Sequence, residues 1–148
     1  MSFVGFYSAH LWYPVGSSDL LHSFFSTVSV RLEDAGWGSG FPVLMGDLYD
    51  EGIAPSAVAK ALHEWARVRA GLGTLPASAM VWDCEDLDAS VPLEYTPPTQ
   101  AETLLDCFTT CEGENLVDML GRALTQARQE RAQLRIATLE EAGAQLSN

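Results

Sequence analysis

A chain of 148 residues, 47% of them hydrophobic, is long enough to bury its own core and too apolar to be intrinsically disordered. Its 20 acidic residues against 8 basic ones leave a net charge of −12, which argues against nucleic acid or an anionic membrane as partner, because both need Lys/Arg-rich surfaces. No run approaches the roughly 18 apolar residues of a membrane span, and MSFVGFYSAHLWYPVG at the N-terminus has no Lys or Arg and no signal-type core, so a cytoplasmic protein with reduced Cys84, Cys107 and Cys111 is expected.

FVGFYSA (3–9) reads as a first strand, bounded by His10, Pro14 and Gly16. Ser17, Ser18 and Asp19 then supply helix-start chemistry, a side-chain oxygen for an orphan amide and an acid for the positive helix end. Leu20, Leu21, Phe24, Phe25, Val28 and Leu32 fall on one helical face, with Ser23, Ser26, Thr27 and Arg31 on the other. Gly36 is the expected left-handed terminator. In the corner GWGSGFP, Gly36, Gly38 and Gly40 permit positive φ, Trp37 and Phe41 read as core plugs, and Pro42 opens a second helix ending at Gly52. Such a turn can cradle phosphate, but no basic residue lies between Arg31 and Lys60, so a structural role is preferred.

Pro55 and Ser56 open a third helix to about Gly71, with Val58, Ala61, Leu62, Trp65 and Val68 inward and Lys60, Glu64 and Arg67 outward. AMVWDC (79–84) reads as a second strand, EDLDASVPLEYTPPTQAE as an acidic, proline-rich surface loop, and LLDCFTTC (104–111) as a third strand. A helix from Gly113 to about Gln133 carries the stripe Leu116, Val117, Leu120, Leu124 and Ala127. LRIAT (134–138) is a last strand, and residues 139–148 form a loosely ordered tail. The sum is one α+β domain over residues 1–138, a mixed sheet of about four strands packed by about four helices.

Chemistry is sparse. The densest candidate is the acidic cluster Asp83, Glu85, Asp86 and Asp88, followed by Glu94 and Tyr95. Clustered carboxylates can bind Ca²⁺ or Mg²⁺, but the glycine and closing glutamate of an EF-hand loop are absent. No GxSxG elbow, HExxH helix, P-loop or GxGxxG occurs. Cys107 and Cys111 have no second pair or histidine nearby to complete a tetrahedral site, and the cysteines read as small buried hydrophobes. His22 and His63 read as boundary residues of their helices. His10 ends the first strand and pairs conceivably with Asp83. No catalytic residue, metal or cofactor is expected. The acidic loop is either solvated or a negative patch for a basic partner. A small metal-dependent hydrolase using His10 and the 83–88 acids, or an adaptor module, are the alternatives.

Three stretches carry a resemblance: WYPVGSSDLLHSFFSTVSVRLEDAGWGSGFPVLMGDLYDEG (12–52), MVWDCEDLDASVP (80–92) and DCFTTCEGENLVDMLGRALTQA (106–127). Together they resemble the Imm70 family of bacterial immunity proteins, most densely in LHSFFSTVS, in GWGS-FP-LM--LY and in VWD-EDL. FTTCEGENL departs from the family pattern, which has a strand and then a Ser-Asp-Gly turn at this point. The resemblance implies a cytosolic, non-catalytic antitoxin that binds and neutralises a cognate toxin domain of a polymorphic or contact-dependent inhibition system. It does not name the toxin. The negative charge suits a basic one, such as a nuclease acting in the cytosol. Charge and loop length place the toxin-binding surface at Asp83, Glu85, Asp86, Asp88, Glu94 and Tyr95.

Overall fold

The computed structural model describes residues 3–86 and 101–146. One antiparallel sheet holds three strands in the order β2-β1-β3: β1 (Phe3–Ser8), β2 (Leu11–Ser17) and β3 (Arg135–Thr138). Four α-helices pack with it: α1 (Ser18–Leu32), α2 (Val58–Gly73), α3 (Leu116–Glu130) and α4 (Leu139–Leu146). The architecture is α+β, with one described strand fewer than expected.

The composition of the sheet differs as well. β2 occupies residues expected to break the first strand. A two-residue turn at Ala9 and His10, with φ of 51° and 67°, folds it back on β1. Left-handed geometry at both central residues matches strand twist, but Asn-Gly usually announces it, not Ala-His. Pro14 fits because β2 is an edge strand, where a missing amide donor breaks no inner ladder. A bulge opposite Val4 and Gly5 shifts the register between Pro14 and Gly16.

The two strands expected at 79–84 and 104–111 do not form. Residues 77–79 and 104–106 are single 3₁₀ turns instead. The first segment fails as a strand because its backbone groups bond elsewhere. Thr27 Oγ1 accepts from Val81 N at 3.0 Å, and Ser23 and Thr27 hydroxyls donate to Val81 O at 2.7 and 3.0 Å. Arg31 Nε donates to Ala79 O at 2.8 Å. Residues 23, 27 and 31 are successive i, i+4 positions, so one stripe of α1 holds an extended chain in place of a strand. Ser23 and Thr27 are therefore buried, and Ser26 is buried too, a correction to the solvent face expected for them.

Helix starts follow their capping residues. Ser17 Oγ accepts from Leu20 N at 3.2 Å, and Asn115 Oδ1 accepts from Asp118 N at 3.1 Å while its amide donates to Leu105 O. α2 and α3 approach closely at Gly121, where a Cβ would lie 2.8 Å from Trp65 Cε2. That indole donates to Val117 O at 2.8 Å. Phe6, Phe25, Phe108, Leu116, Leu120 and Leu124 are fully buried between the sheet and these helices. The segment expected as a tail forms α4, whose Ala142 is buried and which packs on β1 and β3.

Candidate functional site

The glycine corner is built around two buried carboxylates. α1 stops at Leu32 because Glu33 turns to extended backbone, ahead of the expected Gly36. The Glu33 side chain then reaches across the turn and accepts from Gly38 N at 3.0 Å, Gly40 N at 2.8 Å and Phe41 N at 3.1 Å. Gly36 and Gly38, with φ of 101° and 85°, let the chain curl so that these amides converge. The corner does cradle an anion, as glycine-rich turns can, and the anion is its own Glu33.

Glu64 does the same for the next element. It is buried, where sequence periodicity puts it outward, and it accepts from Val43 N at 3.1 Å and Leu44 N at 3.0 Å. Those amides open a wide π-helical turn, Pro42–Leu48, which has no side-chain cap of its own. Bonds to ionised acceptors are the stronger kind, about 1.5–3 kcal/mol each, so two carboxylates hold the corner against α1 and α2.

This frame presents aromatic surface. Phe41 is buried as expected, but Trp37 is 36% exposed and Tyr49 44% exposed, so Trp37 is no core plug. Trp37 Nε1 donates to Met45 O at 2.6 Å, and its ring meets Tyr49 edge-on at 4.9 Å. Phe25 lies beneath both rings, and His22 stacks on Trp37 at 6.3 Å.

His22 joins the aromatics to the acidic turn. Its Nδ1 faces Tyr49 Oη at 3.2 Å and its Nε2 faces Asp83 Oδ1 at 3.5 Å. Asp83 Oδ1 also accepts from Glu85 N at 2.9 Å, and Asp86 N donates to Asp83 O at 3.2 Å, which closes residues 83–86 into a turn. A ring nitrogen of His22, a carboxylate oxygen of Asp83 and Cys84 Sγ all lie within 4.8 Å of one another, and Nε2 is the nitrogen that faces Asp83. Burial first, then the nearby Cys84 and Glu85, push the Tyr49 hydroxyl above its ordinary value of 10.0, so it keeps its proton at neutral pH.

Of the six residues expected at the partner surface, Asp83, Glu85 and Asp86 come together here, with Glu85 and Asp86 exposed. Asp88, Glu94 and Tyr95 lie outside the described residues. The histidine beside Asp83 is His22. His10 stands exposed at the β1–β2 turn, 3.4 Å from Tyr7 Oη. Sequence reasoning placed Trp37 and Tyr49 inward and missed them as surface groups; His22, read as a boundary residue of its helix, is half-buried and hydrogen-bonded. The available signal was an aromatic set between positive-φ glycines, where a ring need not point inward. Only Cys107 of the three cysteines is buried; Cys84 is half-buried and Cys111 exposed. Burial and then Asp106 push the Cys107 thiol above its ordinary 9.0, so it remains an unreactive thiol.

No helix among the described residues is long and apolar enough to cross a membrane. No curated protein and no solved structure matches the chain. The family model for Immunity protein 70 matches residues 6–136, a span that includes the glycine corner, the acidic turn, the whole of β2 and parts of β1 and β3. The chain therefore belongs to the Immunity protein 70 family, a family of immunity proteins.

Proposed function

We propose that this protein is a cytoplasmic antitoxin that binds a cognate, basic toxin domain and neutralises it without catalysis. The contact surface is the patch formed by Trp37, Tyr49 and His22 with the acids Asp83, Glu85 and Asp86; Asp88, Glu94 and Tyr95, which follow in the sequence, are proposed as contacts on charge and residue type alone. The observation that carries this reading is the half-exposed Trp37–Tyr49 pair beside the acidic turn. Interface hot spots are enriched in such aromatics, and a rim of one charge sign steers an oppositely charged partner. The frame beneath is rigid for a physical reason, since Glu33 and Glu64 tie it by five main-chain amides. A surface held in its bound shape loses little entropy on association.

The test is co-expression with the toxin domain encoded beside this gene, then binding kinetics on the purified pair. Cells carrying the wild-type chain should grow. Trp37→Ala should raise the dissociation rate at least tenfold, a typical hot-spot loss. Rescue with Trp37→Ala kinetics equal to wild type would move the interface elsewhere. Absence of both rescue and binding would remove the antitoxin reading.

A further inference from the structure

We propose that His22 Nε2, the Asp83 carboxylate and the Cys84 thiolate form a zinc site with one open coordination position, on the surface of the isolated protein and independent of any toxin. Three different donor types from two elements, α1 and the 79–86 segment, converge within 4.8 Å. Imidazole and thiolate together select a borderline-soft ion such as Zn²⁺ over Mg²⁺ or Ca²⁺, which prefer all-oxygen shells.

The spacing fits the ion better than it fits a hydrogen bond. His22 Nε2 and Asp83 Oδ1 are 3.5 Å apart, at the outer limit for direct bonding. Ligands about 2.0–2.2 Å from a tetrahedral zinc stand about 3.4 Å from each other. The His22–Asp83 pair already has that spacing, and Cys84 Sγ, within 4.8 Å of both, has to close the remainder.

Both rigid donors are also oriented from behind, as metal ligands usually are. Tyr49 Oη sits 3.2 Å from His22 Nδ1. The phenol oxygen accepts as well as donates, so Nδ1 can carry the ring proton and turn the Nε2 lone pair toward Asp83 and Cys84. The Glu85 amide fixes the Asp83 carboxylate at 2.9 Å. Zinc binding then takes the thiol proton of Cys84 to solvent and leaves His22 neutral. All three donors are partly exposed, so the ion can enter.

The experiment is a Co²⁺ titration of the full chain, followed by displacement with Zn²⁺. One equivalent of Co²⁺ should bind and give a thiolate-to-cobalt charge-transfer band that Zn²⁺ removes. Cys84→Ser should abolish the band, and His22→Gln and Asp83→Asn should each weaken binding at least tenfold. Zn²⁺ should raise the melting temperature of wild type and not of His22→Gln. Circular dichroism checks that each variant folds, and the wild-type stoichiometry and band stand without any variant. No band in wild type, or a band unchanged in folded Cys84→Ser, overturns the site. Either failure leaves toxin binding as a separate question, because the titration contains no partner.

Discussion

Glu64 stands on α2 but caps another element: its Oε1 takes the amides of Val43 and Leu44, which Phe41 at the cap position leaves unbonded. Removing a carboxylate from two buried amides leaves both unsatisfied, at about 1–3 kcal/mol each. Glu64→Ala should therefore lower unfolding free energy by about 3 kcal/mol in urea melts at unchanged m-value. Glu64→Gln keeps one carbonyl where both amides converge and should lose less than half as much. Equal losses in the two variants would mean that charge, not the acceptor geometry, holds the turn. The same residue shows where periodicity misleads. A helix stripe places Glu64 outward by its charge, yet a buried acid is allowed wherever main-chain donors supply its solvation.

At the scale of elements, α1 does two jobs from two faces. Its apolar face fills the core, and its Ser23–Thr27–Arg31 stripe carries the 79–86 segment. Ser23→Ala combined with Thr27→Val deletes the bonds to Val81 while keeping volume nearly constant. Amide exchange at Val81 should accelerate by tenfold or more, and the segment should lose its fixed place beside His22, while helix content stays at the wild-type level. Unchanged protection at Val81 would show that packing alone seats the segment. α1, α2 and α3 were legible because their signals are local, apolar residues three and four apart and, for α1, a cap at Ser17; α4, in the segment expected as a tail, was not. β2 was not, since Pro14 and Gly16 punctuate it and only its edge position makes them harmless. AMVWDC carries strand-like residues, but α1 hydroxyls satisfy its backbone, and no local pattern announces a partner 54 residues away. The acidic turn was legible as charge. Its neighbour His22, 61 residues distant, was not.

Across the whole molecule, 20 acids against 8 bases make a field of one sign. Such a field acts on encounter more than on the docked complex, and salt screens it beyond a Debye length of about 10 Å at 0.1 M. Toxin association should slow as ionic strength rises, with dissociation nearly constant. The combined variant Asp83→Asn, Glu85→Gln, Asp86→Asn should flatten that dependence. Association indifferent to both salt and these three acids would contradict a basic partner at this surface. Glu33 adds a last consequence. Its charge is balanced by peptide dipoles at 2.8 to 3.1 Å, inside the protein, and not by mobile counterions or a surface cation. Ionic strength can weaken such an arrangement very little. A salt concentration that suppresses capture of a partner would leave the proposed contact surface in shape, ready to capture again once the salt is lowered.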